Sequence, residues 1–100
     1  MDVIINNEQE GMKVRMSGQF TFADNQKFRE VLDITQQLEV KFIEIDFAQV
    51  DFIDSAGLGM LLLLRDACQH RHVPISLHSP QGQVEKIFNV SKFDQLFSIS

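Results

Sequence analysis

The stretch that decides the fold is Val40–Leu64, VKFIEIDFAQVDFIDSAGLGMLLLL. Ile43, Ile45 and Phe47 alternate with Glu44 and Asp46, a period of two that predicts a half-buried strand over 40–47. The apolar run Met60–Leu64 follows Ser55, and the spacing predicts a helix from about Ser55 to His70. The run is apolar all round, so the helix is expected to be covered on more than one side. A strand feeding directly into a helix is half of a βαβ unit, which calls for parallel pairing and a right-handed crossover.

Upstream, Met12, Val14 and Met16 alternate with Lys13, Arg15 and Ser17. They read as a strand that Gly18 ends. Val3–Ile5 reads as its hairpin partner, across the polar turn Asn6-Asn7-Glu8-Gln9-Glu10-Gly11. After Gln19-Phe20-Thr21-Phe22-Ala23, Asp24 is the expected N-cap of a helix of about four turns. Phe28, Val31, Leu32, Thr35 and Leu38 form its inward stripe. Downstream, Val73, Ile75 and Leu77 alternate as a further strand, with Pro74 marking an edge or a strand start. Ser79-Pro80 is expected to open a third helix with core residues Val84, Ile87 and Phe88. Ser91–Asp94 resembles a capping box before a last short helix holding Phe93, Leu96 and Phe97. The expected order is β-β-α-β-α-β-α-α. It makes a single α/β domain over residues 1–100, a mixed four-stranded sheet with about four helices packed on it.

Composition sets the outer limits. The 100 residues are 44% hydrophobic and 23% charged, with five Gly and two Pro, values of a globular chain. A single cysteine, Cys68, excludes an internal disulfide and a cysteine-rich zinc site. Net charge is −5 and no basic run occurs, so the electrostatic footprint of a nucleic-acid binder is missing. The acidic start MDVIINNEQE lacks the order of a signal peptide, and Met60–Leu64 is far too short to span a membrane. The expectation is a soluble, cytoplasmic protein that meets neither membrane nor nucleic acid. Nine Phe with neither Trp nor Tyr are read as core filling.

The most informative segment is Phe47–Met60. It begins at the carboxyl end of a strand, where ligands and partners of open α/β sheets gather. It ends at a helix N-terminus. The plain reading makes Ser55 the N-cap, with Gly57 and Gly59 present for close packing. Two features ask for more. Each glycine costs the helix about 1 kcal/mol relative to Ala, which suggests that something approaches the backbone there. Asp51 and Asp54 flank the serine beside the positive end of the helix dipole.

The run Phe52-Ile53-Asp54-Ser55-Ala56-Gly57-Leu58-Gly59 resembles the phosphorylation-site motif of STAS domains, specifically of bacterial anti-sigma factor antagonists. The position after the serine is Ser or Ala in that family, and Ala56 fits. The likeness extends over nearly the whole chain. It takes in Gly18-Gln19-Phe20 with the helix from Asp24, Ser79-Pro80 with Ile87-Phe88, and the ending Phe93–Phe97. The chain departs from the family at the loop position after Phe20, often Asp there and Thr21 here.

The resemblance implies a non-enzymatic binding module without a cofactor. Its partner is an anti-sigma factor that is also a serine kinase. Unmodified, the module binds that partner and so frees the sigma factor for transcription. Phosphorylation of Ser55 ends the binding, and a metal-dependent serine phosphatase restores it. The expected partner surface is Phe20, Thr21, Phe22, Asp24, Asp54, Ser55, Ala56, Gly57, Leu58, Gly59 and Leu62. Leu62 also reads as plain core, and Phe22 as a hydrophobic staple. STAS-like domains also serve as subunits of transport and stress-signalling assemblies, in which the phosphate switch goes unused.

Rival chemistries fit less well. A nucleophile elbow needs Gly two residues before the serine, and Ile53 stands there. A dinucleotide fingerprint needs Gly at position 62, and Leu62 stands there. His70, His72 and His78 read as surface histidines. Asp46, Asp51 and Asp54 have no phosphate-binding motif to accompany a magnesium ion. Cys68 reads as an inert thiol within a helix.

Overall fold

Alternation and bulging along two long strands set the architecture. A computed structural model describes residues 1–8, 11–37 and 39–100. The turn residues Gln9 and Glu10 and the stripe residue Leu38, named above, lie outside the described residues. Strand β1 (Asp2–Glu8) pairs antiparallel with β2 (Gly11–Phe20), as the hairpin reading expects. Then come a 3-10 turn (Phe22–Asp24), α1 (Asn25–Gln37), β3 (Phe42–Ile53), α2 (Ser55–His70) and β4 (Ile75–His78). The chain ends with α3 (Gly82–Val90), a second 3-10 turn (Phe93–Gln95) and β5 (Ser98–Ile99). Among the described residues the sheet has five strands in the order β1-β2-β3-β4-β5, parallel from β2 onward. The α/β class with a mixed sheet stands. Among the described residues the counts become five strands and three α-helices.

The sheet has one covered face. Met12, Val14, Met16 and Phe20 of β2 and Ile43, Ile45, Phe47, Val50 and Ile53 of β3 are all buried. Each helix meets this face: Phe20 packs on Phe28 of α1, Phe47 on Phe88 of α3, and Ile53 lies against Gly57 of α2. Phe88, Phe93 and Phe97 extend the aromatic row at centroid spacings of 5.2 and 5.3 Å. The opposite face carries the polar members of the alternation. There Lys13 pairs with Glu44 at 3.8 Å and Arg15 with Asp46 at 3.6 Å.

Strand β3 runs six residues beyond the expected Phe47, and β2 continues past Gly18. Both errors have one cause. Register shifts between Arg15 and Ser17 and between Gly18 and Gln19 each place an extra residue in β3. They change the period from two to three, yet keep Phe47, Val50 and Ile53 on the same face. Such bulges break the alternation that identifies a strand. Gly18, at φ +91°, supplies the left-handed backbone at the second shift, so it bends the strand without ending it.

Apart from that of α2, three caps differ from expectation. Thr21, not Asp24, caps the first turn. The Asp24 carboxylate accepts from the Thr21 N–H at 2.9 Å, the reciprocal half of a capping box. Ser79 does not open α3. It lies at φ +58°, donates its N–H to the Ser100 carbonyl at 2.8 Å, and leaves Gln81 as the N-cap. The Ser91–Asp94 box is replaced by Lys92 at φ +56° and a single 3-10 turn, after which Ser98 and Ile99 join the sheet. β5 therefore shields β4, and Pro74 marks the start of an interior strand.

Candidate functional site

The site forms where β2 and β3 end side by side. Phe20 pairs with Ile53, and the Asp54 N–H donates to the Phe20 carbonyl at 3.2 Å. On its far side Ile53 has no strand neighbour, because β4 pairs only as far as Asp46. Two glutamines of the α3 entrance take that place. The Gln83 amide accepts from the Ile53 N–H at 3.0 Å and donates to the Ile53 carbonyl at 2.9 Å. Gln81 donates to the Ala48 carbonyl. The backbone entering α2 is thus held from both sides. The sequence reading missed both glutamines, since an amide standing in for a strand leaves no periodic signal.

Asp54 is the cap of α2, a correction to the assignment of Ser55. Its Oδ1 accepts from the Gly57 N–H at 2.8 Å. Its Oδ2 accepts from the Phe22 N–H at 3.1 Å, tying the first 3-10 turn to the helix. Ser55 becomes the first residue of the helix proper. It is exposed, and its hydroxyl is not spent on the cap.

The two glycines have different reasons. A Cβ on Gly57 would lie 2.7 Å from Ile53 Cγ1 and 2.7 Å from the Phe20 carbonyl oxygen, so close packing demands Gly there. A Cβ on Gly59 would meet nothing within 4 Å. The fold gives no reason for Gly59, and the helix bears its cost.

Helical spacing puts Ser55, Gly59, Leu62, Leu63 and Asp66 on the outward face of α2, opposite the buried Gly57, Met60, Leu61, Leu64 and Cys68. Leu62 is 37% exposed and Leu63 52%, while Phe22 is 70% exposed on the adjoining turn and Phe52 39% at the end of β3. The expectation that the leucine run would be covered on more than one side is therefore not met within the chain. Phe22 does not staple inward, and Leu62 is not plain core. Leu63 and Phe52 are additions to the expected surface, and their only sequence signal was membership of apolar runs.

Other expected site residues separate by burial. Phe20 is fully buried and Gly57 is buried, so both support the site from beneath. Ala56 and Leu58 are half-buried against the core. Thr21 and Asp24 form the internal box, and Asp24 also accepts from the N-terminal amine of Met1 at 3.0 Å. Burial alone would raise the Asp24 pKa. The Thr21 N–H, the amine and the Thr21 hydroxyl outweigh it and hold the carboxyl below its ordinary value. Burial pushes the Cys68 thiol up, against a smaller lowering by Arg71.

Histidine chemistry gathers elsewhere. The His78 ring faces the Ser76 hydroxyl at 2.8 Å and the Ser100 hydroxyl at 2.9 Å, on the open side of the sheet. No group of three or more metal-ligating side chains occurs among the described residues. No helix among them is long and apolar enough to cross a membrane. A groove of about 400 Å³ between Arg65, Gln69, Pro74 and Leu96 lies at the N-terminal ends of β4 and β5, the opposite end of the sheet from Ser55.

Comparison with known proteins finds the same fold. A STAS-domain containing protein of Pseudomonas aeruginosa is 35% identical over 89 residues, covering 89% of this chain and 87% of the relative. The unphosphorylated form of the anti-sigma factor antagonist SpoIIAA superposes with TM-score 0.84 at 21% identity, over 99% of this chain and 88% of that one. The phosphorylated form of the Bacillus cell fate determinant SpoIIAA gives 0.75 at 20% identity, over 99% and 91%. An anti-sigma factor antagonist of Mycobacterium paratuberculosis gives 0.82 at 13% identity, over 98% and 83%. The STAS domain family matches residues 3–100, and with the curated relative this places the chain in the STAS domain family.

Proposed function

We propose that this chain is an anti-sigma factor antagonist and that Ser55 is its phosphorylation switch. The observation that carries the reading is the exposed Ser55 at the head of a helix face on which Leu62 and Leu63 are also exposed. A lone exposed leucine is ordinary. Exposed Leu62 and Leu63 on the outward face of α2, with exposed Phe22 on the turn that Asp54 ties to its N-terminus, make a docking surface. The antagonist SpoIIAA, known in unphosphorylated and phosphorylated forms, shares the fold and lends the reading its direction.

In this reading the chain catalyses nothing. The partner is an anti-sigma factor with serine kinase activity, and it docks on the α2 face and the Phe22 turn. It transfers the γ-phosphoryl group of ATP to Ser55 Oγ as the bond to the β-phosphate breaks, releasing ADP and the hydroxyl proton. A metal-dependent phosphatase later hydrolyses the ester with water and returns the hydroxyl. The phosphate brings about −1.5 to −2 charges. A helix N-terminus tolerates them, whereas an apolar interface excludes them. Binding and phosphorylation thus oppose each other at one atom, and sigma-factor-dependent transcription follows the unmodified form.

The test is intact-mass spectrometry of the chain incubated with candidate kinases and ATP, together with partner capture. A gain of about 80 Da mapped to Ser55 is expected. So is partner capture by Ser55→Ala and its loss with Ser55→Asp. Equal capture by both variants would overturn the reading.

A further inference from the structure

We propose that Asp54 is a positioning residue that transmits charge on Ser55 to the Phe22 turn. The inference rests on the reading of Ser55 as a phosphorylated residue. Its basis is one carboxylate shared by two elements. Oδ1 accepts from Gly57 of α2 at 2.8 Å, and Oδ2 accepts from Phe22 at 3.1 Å, while the neighbouring residue in the chain is the exposed Ser55. The remaining bonds of the turn run elsewhere. Asp24 holds Thr21 and the Met1 amine, and Lys27 donates to the Met1 carbonyl. Among the described hydrogen bonds, the Phe22–Asp54 contact is therefore what ties the 3-10 turn to the first turn of α2.

A phosphate on Ser55 sets about two negative charges beside this carboxylate, and both groups compete for the same N-terminal turn of α2. The Asp54 carboxylate is then repelled from its place between the two elements. That displacement weakens Oδ2 as an acceptor for the Phe22 N–H. Phe22 loses its fixed place at the N-terminal end of α2, although the Thr21–Asp24 box keeps the turn intact. Phosphorylation would thus dismantle the docking surface as well as obstruct it. Simple obstruction leaves Phe22 where it is.

The experiment installs phosphoserine at position 55 during translation, so no kinase is needed. Amide exchange and the amide proton shift of Phe22 are read by NMR, with Leu58 as the internal reference. The expected result is exchange at Phe22 faster by about tenfold, with Leu58 little changed. Asp54→Ser, in the unmodified chain, keeps a capping oxygen for Gly57 but cannot span to Phe22, and is expected to release Phe22 equally. Should that variant fold poorly, Asp54→Gly, which suits an N-cap backbone and removes both acceptor oxygens, gives the same reading. Phe22 exchange unchanged by phosphoserine, or unchanged in the folded Asp54 variant, overturns the inference. Because the phosphate is placed directly, such a result leaves the proposed function standing, and a failure to find a kinase for Ser55 leaves this inference standing.

Discussion

Gly57 and Gly59 are two residues apart on one helix, and alanine should act on them with opposite sign. At Gly59 the new methyl meets nothing within 4 Å, so the substitution changes only backbone freedom and helix propensity. The expected gain is about 0.5–1 kcal/mol. At Gly57 the methyl would sit 2.7 Å from Ile53 Cγ1 and 2.7 Å from the Phe20 carbonyl oxygen. Ile53 is wholly buried and clasped by Gln83 on its backbone, and the carbonyl belongs to a paired strand. Neither can yield cheaply, so overpacking of about 1–3 kcal/mol is expected to exceed the propensity gain. Urea denaturation of both variants gives the two signs directly, provided the slope with urea is unchanged. Thermal unfolding should separate them, since about 1 kcal/mol moves the midpoint of a domain this size by about 4–8 °C. A destabilised Gly59→Ala, or a Gly57→Ala as stable as the parent, would refute the reasoning. The functional corollary is sharper: Gly59→Ala should weaken partner capture while raising stability, because its methyl protrudes into the docking face. Undiminished capture would deprive Gly59 of its proposed reason.

Phe22→Ala and Leu63→Ala should each change stability by about 0.5 kcal/mol or less, since both side chains are largely in water, yet lower partner capture; intact capture would remove them from the surface. Asp24 has a folded pKa below its unfolded value of about 3.9. Its stabilisation is therefore present above that value and lost as pH falls through the folded one. Asp24→Asn should flatten stability against pH in that acid window, and an unchanged slope counts against the box. Cys68, buried with a raised thiol pKa, should react with iodoacetamide at neutral pH only as the chain unfolds; rapid labelling of the native protein would contradict its burial.

Much of the plan was legible where periodicity is clean. The hairpin, α2 with its bounds at Ser55 and His70, and the inward stripe of β3 as far as Phe47 follow from residue spacing alone. Ser55 was singled out by a likeness to a family motif, since Asp-Ser-Ala-Gly at a strand-to-helix passage is a local pattern, while its spacing alone read as a cap. Legibility failed where a residue's role is set by something distant in sequence. The end of β3 was hidden by bulges that exist only relative to β2. Ser98 and Ile99 become a strand only because β4 presents an edge to them.

Local chemistry, then, determined which residues prefer strand, helix and turn, and that a hydroxyl stands at the mouth of a leucine-rich helix. Tertiary structure decided which oxygen caps that helix, which glycine is compelled, and which leucines face water. Asp54 outcompetes Ser55 for the cap because its carboxylate can accept from Gly57 and Phe22 together, and Phe22 arrives from 32 residues away. Leu61 and Leu62 are neighbours of one kind, but the helix docks by one stripe, and only the sheet beneath determines which of them it is.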